Sequence, residues 1–161
     1  MNTPSKKIHI ITLGCAKNQV DSEALYSQLE GNDLELTSEI SDASVAVINT
    51  CGFIEDAKQQ SINTILETVR LKNEGKLDKV IVMGCLSERY HAELAKEIPE
   101  VDQFFGSNHV PLIVSELGGN YKYELLGDRT LSTPTYSAYL KISEGCATPC
   151  SFCAIPIMRG T

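Results

Sequence analysis

Apolar residues fall along this chain in short blocks separated by polar stretches with helical spacing. Residues 8–13 form a brief apolar run rich in β-branched side chains, as expected of a strand buried on both faces. Residues 45–48 and 80–83 repeat that signature. Between them, residues 21–29 place Ala24, Leu25 and Leu29 at helical spacing. Residues 53–71 read as a long helix with Ile54, Ala57, Ile62, Ile65, Leu66 and Val69 on one apolar face. Residues 87–98 read as helical up to Pro99, and 110–117 as a last helix ended by Gly118 and Gly119. Residues 34–37 and 101–105 are candidates for outer strands. This β-α-β-α order predicts an α/β fold: an open parallel sheet with helices on both faces. Residues 118–135 are rich in Gly, Thr, Ser and Pro and read as a linker or crossover. A further apolar strand is expected at 139–142, leading into the last motif before Thr161. The expected division is therefore a first domain over 1–118, a linker over 119–136, and the opening of a second, truncated domain over 137–161.

Composition narrows the function classes. The 161 residues suffice for one full core, and 42% hydrophobic with 22% charged content is ordinary for a soluble protein. No apolar run approaches the roughly 20 residues that span a bilayer, and the polar start lacks the apolar region of a secretory signal. A cytoplasmic protein with no membrane partner is expected. The net charge of −7 is a poor match to a phosphate backbone and a better one to a basic protein. Six cysteines without a secretion signal point to metal ligands rather than disulfides.

Three of those cysteines, Cys15, Cys51 and Cys85, each follow one of the three clear strands. In a parallel sheet those strand ends share one edge, where open α/β folds bind ligands. Gly14, Gly52 and Gly84 adjoin them and permit tight turns and close backbone approach. A lone cysteine is usually a small buried hydrophobe. Three at equivalent strand ends, each beside a glycine, point instead to a shared site, with zinc and iron–sulfur both open on these residues alone. Asn18, Asn49 and Thr50 are placed to brace the loops or hydrogen-bond sulfur.

The other three, Cys146, Cys150 and Cys153, form C-x-x-x-C-x-x-C with Phe152 before the last. Three thiolates at this spacing can wrap three irons of a cubane and leave the fourth open to a small molecule. A zinc site would need a fourth ligand, and none follows. His9, His91 and His109 read as surface or packing residues.

This loop resembles the signature of the radical S-adenosylmethionine superfamily. The resemblance implies that the open iron chelates S-adenosylmethionine, that reduction yields a 5′-deoxyadenosyl radical, and that Phe152 lies near the adenine. Taken with Leu13–Gly14–Cys15–Ala16–Lys17–Asn18, Asp21–Ser22–Glu23, Asn49–Thr50–Cys51–Gly52–Phe53, Gly84–Cys85–Leu86–Ser87 and Ala154–Ile155–Pro156 through Arg159–Gly160, the chain resembles the methylthiotransferases along essentially its whole length. That family implies a flavodoxin-like domain carrying a second [4Fe–4S] cluster on Cys15, Cys51 and Cys85, followed by the start of a radical S-adenosylmethionine (β/α) barrel. Lys17, Gly52–Phe53–Ile54 and Leu86–Ser87 are similar to the RimO branch, which modifies the β-carbon of an aspartate in a small-subunit ribosomal protein. The transfer-RNA branch, the alternative, tends to carry Gln-Met-Asn and Ala-Ile-Arg where this chain does not. A module binding iron–sulfur or zinc without radical chemistry is the alternative of another class. The resemblance also implies a reductant protein as electron donor, and that a chain ending at Thr161 is an N-terminal fragment, inactive alone. Ala147, Thr148 and Pro149 depart from the polar or basic residues often found there in the family. Lys17 is expected either beside the first cluster, balancing its charge, or on the surface.

Overall fold

The computed structural model describes residues 6–148 and 150–161. Four strands, β1 (Ile8–Thr12), β2 (Val45–Thr50), β3 (Lys79–Gly84) and β4 (Gln103–Phe104), form one parallel sheet in the order β1-β2-β3-β4. Their register pairs Ile8 with Val45, Val45 with Lys79 and Ile81 with Gln103. Beyond β1 the chain at Leu36 makes a single parallel bridge to Ile8; Ile8 N–H donates to Glu35 O, and Thr37 N–H donates to Ile8 O. Counting that segment as the second strand met along the chain, the spatial order becomes 2-1-3-4-5, the flavodoxin-like arrangement, with its switch point between β1 and β2.

Helices cover both faces. Alternate residues of β2 and β3 point opposite ways. Ala46, Ile48, Val80 and Val82 pack with Ile65 and Val69 of α2 (Glu55–Asn73), Leu86 of α3 (Cys85–Arg89) and Leu94 of α4 (His91–Glu97). Val45, Val47, Ile81 and Met83 pack with Leu25 and Leu29 of α1 (Ala16–Glu30) and Ile113 and Val114 of α5 (Val110–Glu116). Every residue of β2 is buried, which is why these strands read as unbroken apolar runs.

Four expectations need correction. The helix expected at 21–29 begins at Ala16, immediately after Cys15. Its first turns bury Asn18, Asp21, Ser22 and Glu23, a polar face that apolar periodicity cannot reveal. The buried face of α2 is Ser61, Ile65, Thr68 and Val69, whereas Ile54 and Leu66 are exposed. The helix expected at 87–98 is two helices broken at Tyr90, whose ψ of 31° leaves the helical region. The strand expected at 139–142 is absent: the segment makes no ladder, and Leu140 and Ile142 are exposed. An extended apolar segment becomes a strand only where a neighbour accepts its hydrogen bonds, and no described strand lies alongside. A short helix, α6 (Ile155–Arg159), follows instead.

Residues 120–132 hydrogen-bond to α1 and the turn that follows it. Asn32 exchanges hydrogen bonds with the backbone of Asn120, and Gln28 does the same with Lys122. Glu23, almost wholly buried, accepts from Arg129 and from the N–H and hydroxyl of Ser132.

Candidate metal centre at the strand ends

Cys15 caps the N-terminus of α1, Cys51 directly follows β2, and Cys85 opens α3 at the end of β3. All three line one cavity of about 810 Å³, with Lys17, Phe53, Ile54, Met158 and Arg159 also on its wall. Cys51 and Cys85 are buried and Cys15 is exposed; all six cysteines are free thiols. The expected convergence of the three strand-end cysteines is thus present.

The loops that bring them together are braced by side chains. Asn18 Nδ2 donates to Leu13 O at 2.7 Å and Thr50 O at 2.9 Å, tying the β1 loop to the β2 loop. Asn49 Nδ2 donates to Asn18 O at 2.9 Å and Ser22 Oγ at 3.0 Å. Thr50 Oγ1 donates to Met83 O at 2.6 Å, joining β2 to β3. Ser61 of α2 meets both backbone groups of Cys51 at 3.0 Å. Of the two roles open to Asn18, Asn49 and Thr50, loop bracing accounts for these contacts, although Asn18 Oδ1 also lies 3.8 Å from Cys85 Sγ.

Glycine is required beside the thiols. Gly14 has φ +90°, and a Cβ there would lie 2.8 Å from Cys51 Sγ. Gly84 has φ +102°, and a Cβ would meet Thr50 O at 2.5 Å. Gly52 approaches the Leu86 backbone so closely that a Cβ would stand 2.8 Å from Leu86 Cα.

Arg159 of α6 reaches into this edge. It is 3% exposed, and its Nε–H donates to Cys85 Sγ at 3.1 Å. The remaining guanidinium nitrogens donate to Asp21 Oδ2 at 2.5 Å, Glu144 Oε1 at 2.7 Å and Asn18 Oδ1. Lys141 adds bonds to Asp21 Oδ1 and Glu144 Oε2, closing a quartet of two carboxylates and two cations. Burial pushes the Cys85 thiol up from its ordinary value, Arg159 opposes that shift, and the neighbouring Cys51 and Cys15 add to it. Burial also works against the charge on Arg159, but Asp21 and Cys85 outweigh it and hold the guanidinium more firmly protonated than usual.

Neither Arg159 nor Lys141 stood out as a site residue in the sequence. Arg159 lies 138 positions from Asp21, and nothing local marks it as a partner. Lys17 lines the cavity, but carbonyls hold its ammonium: it donates to Ser143 O at 3.0 Å and Glu144 O at 2.5 Å.

Cys146 and Cys150 are exposed and Cys153 is half-buried. Cys146 N–H donates to Gly160 O, closing the base of their loop. Hydrogen bonds from the Thr148 backbone and hydroxyl, then the charge of Lys17, hold the Cys146 thiol below its ordinary value. Pro149 lies outside the described residues, and Phe152 is 91% exposed. Among the described residues no three His, Cys, Asp or Glu side chains already stand at metal-holding distances. What fits the strand-end trio to an iron–sulfur group is the all-thiol donor set on one cavity wall, kept clear by Gly14. The histidines lie elsewhere: His9 Nδ1 bonds Thr37 O, His91 packs edge-on to Phe104, and His109 Nδ1 accepts from Gly106 N–H. Among the described residues no helix is long and apolar enough to cross a membrane.

The chain is 56% identical over 163 aligned positions to the ribosomal protein uS12 methylthiotransferase RimO of Christiangramia forsetii, covering 99% of the chain and 36% of that protein. It is 54% identical to the RimO of Chloroherpeton thalassium, over 99% of the chain and 37% of that protein. It is 58% identical to the RimO of Bacteroides fragilis, over 96% and 36%. The chain thus spans a little over a third of the length of these curated relatives. Residues 7–106, from the start of the sheet through β4 and including all three strand-end cysteines, match the family described as "Uncharacterized protein family UPF0004". The chain belongs to that UPF0004 family.

Proposed function

We propose that this chain is the cluster-bearing part of a RimO-type methylthiotransferase acting on an aspartate of ribosomal protein uS12. The observation that carries the reading is the meeting of Cys15, Cys51 and Cys85 on one cavity wall, with Arg159 from the second cysteine segment on the same wall. Names carried by relatives above 50% identity support the substrate. Residues 1–118 form the first domain, 119–136 the connection, and 137–161 open a radical S-adenosylmethionine domain.

Cys15, Cys51 and Cys85 would hold one [4Fe–4S] cluster, and Cys146, Cys150 and Cys153 the second, with Phe152 a residue that would bind S-adenosylmethionine there. When bound, these groups supply the radical, sulfur and methyl chemistry of methylthio transfer. The chain's own residues position and shield. Gly14 and Gly84 let the loops close around the thiols. Asn18, Asn49 and Thr50 fix the three strand ends relative to one another. Lys17 and Arg159 contribute positive charge where thiolates gather, and Phe53, Ile54 and Met158 give the cavity an apolar wall that disfavours water. A reductant protein supplies electrons, the setting is cytoplasmic, and the 161-residue chain alone does not turn over.

Anaerobic reconstitution tests the cofactor assignment. About eight irons per full-length protein carrying this chain are expected, falling to about four when either cysteine trio is changed to alanine. Stoichiometric zinc with no iron refutes it. For the substrate, this chain replaces the matching portion of the Bacteroides fragilis relative. Mass spectrometry then expects methylthio-aspartate in uS12, and methylthiolated transfer RNA in its place would overturn the assignment.

A further inference from the structure

Arg159 is six residues beyond Cys153, and Glu144 is two residues before Cys146, so these two side chains flank the second cysteine loop. Both converge on the same point of the first domain. Arg159 binds Asp21 and Glu144 together, and Lys141 binds the same two carboxylates. The Arg159–Asp21 pair is buried, at 3% and 5% exposed, while Lys141 and Glu144 close it off at the partly exposed rim. The quartet is neutral in sum. Of the four guanidinium contacts, two go to these carboxylates, one to the Asn18 amide oxygen, and the fourth to the sulfur of Cys85.

A clamp alone would need only Asp21 and Glu144. The Nε–H aimed at Cys85 Sγ is the surplus feature. A donor fixed on a thiolate stabilises the more negative state of whatever that thiolate ligates, and hydrogen bonds to cluster sulfurs are among the features that set reduction potential. The donor here comes from the segment carrying the other three cysteines. We propose that Arg159 is a positioning residue with two linked tasks: it docks the Cys146–Cys153 loop onto α1 through Asp21, and its N–H to Cys85 raises the potential of the cluster on the strand-end trio. The second task rests on the cluster assignment above; the first does not.

The test separates them. Hydrogen exchange is measured on the metal-free, reduced 161-residue chain as wild type, Arg159→Met and Arg159→Lys. Faster exchange at Cys146 N–H and across 141–148 in Arg159→Met, with partial recovery in Arg159→Lys, is expected. Unchanged exchange in Arg159→Met overturns the docking role whether or not iron binds.

The potential is measured in a Cys146→Ala/Cys150→Ala/Cys153→Ala background, which leaves only the strand-end trio. Arg159→Met is expected to disfavour reduction about tenfold, a negative shift of about 59 mV for one electron. Arg159→Lys, which keeps the charge but not the fork, should fall between. Faster exchange with an unmoved potential reduces Arg159 to a latch and overturns the tuning role. A wild-type background that takes up no iron overturns the cluster assignment and the tuning role with it, leaving the docking result to stand on exchange.

Discussion

Asn18 is the residue on which the strand-end geometry most depends, and Asn18→Ala gives its role a magnitude. The side chain is fully buried. It donates two hydrogen bonds, to Leu13 O and Thr50 O, and accepts one from the Arg159 guanidinium. Each neutral bond is worth about 1 kcal/mol net, and one to a charged group about 1.5–3 kcal/mol. Arg159 keeps Asp21 and Glu144 after the change, so the lower end applies to its share. The sum is a loss of about 3.5 kcal/mol. Equilibrium urea unfolding of the reduced, metal-free chain is the assay. With a slope of about 1–3 kcal/mol/M, the midpoint should fall by roughly 1–3.5 M at unchanged slope. Asn63→Ala, on the exposed face of α2 where the side chain accepts from Gln59, is the control and should stay within about 0.5 kcal/mol. A loss below about 1 kcal/mol for Asn18→Ala would falsify the claim that this amide, rather than the surrounding apolar packing, holds the β1 and β2 loops together.

Two glycines with positive φ should respond differently to alanine. Gly75 has φ +74° with nothing within 4 Å of a Cβ, so Gly75→Ala should cost about 1 kcal/mol of strain alone. Gly84→Ala adds contact with Thr50 O and should cost well over twice as much by the same unfolding assay; equal costs would contradict the crowding argument. Burial raises the Asp102 carboxyl, but Lys72 and the Val80 N–H outweigh it and hold it below its ordinary 3.8. The folded-state value being the lower, its contribution is fully present above the unfolded value and disappears as pH falls through the folded one. Asp102→Asn should therefore flatten the loss of stability between pH 5 and pH 3, by about 1 kcal/mol or less for a partly exposed pair; identical wild-type and variant profiles would dismiss the pair as a contributor. Lys17→Met should raise the Cys146 thiol, slowing its alkylation at fixed neutral pH, and an unchanged rate would argue against Lys17 reaching that sulfur.

The sheet was legible because β2 and β3 are buried on both faces and β1 on one, which leaves short apolar runs rich in β-branched residues. The strand-end cysteines were legible for the same reason, since a parallel sheet collects its strand ends whatever the helices do. The start of α1 was not legible, because the face it buries is Asn18, Asp21, Ser22 and Glu23. The same is true of Ser61 and Thr68 on α2, where hydroxyl groups, not aliphatic ones, face inward. Arg159 was invisible for a different reason. Glu144 apart, its partners are Asn18, Asp21 and Cys85, far away in sequence, and only the folded path of the chain over the sheet edge brings them within reach. The strand expected at 139–142 shows the converse error: an apolar run announces willingness to pair, not the presence of a mate.

The seam between residues 119–136 and α1 carries a consequence for how length is read along this protein. Asn120, Lys122 and the pair Arg129 and Ser132 mesh with Asn32, Gln28 and Glu23 in turn, like teeth engaging a rack that runs the opposite way. Surface connections commonly absorb inserted or deleted residues without penalty. Here a residue removed between Lys122 and Arg129 would shift the second half of the ratchet by one tooth and strand a deeply enclosed carboxylate. The stretch that looks most like a dispensable tether is therefore the chain's ruler, its length fixed by where Asn120, Lys122, Arg129 and Ser132 seat.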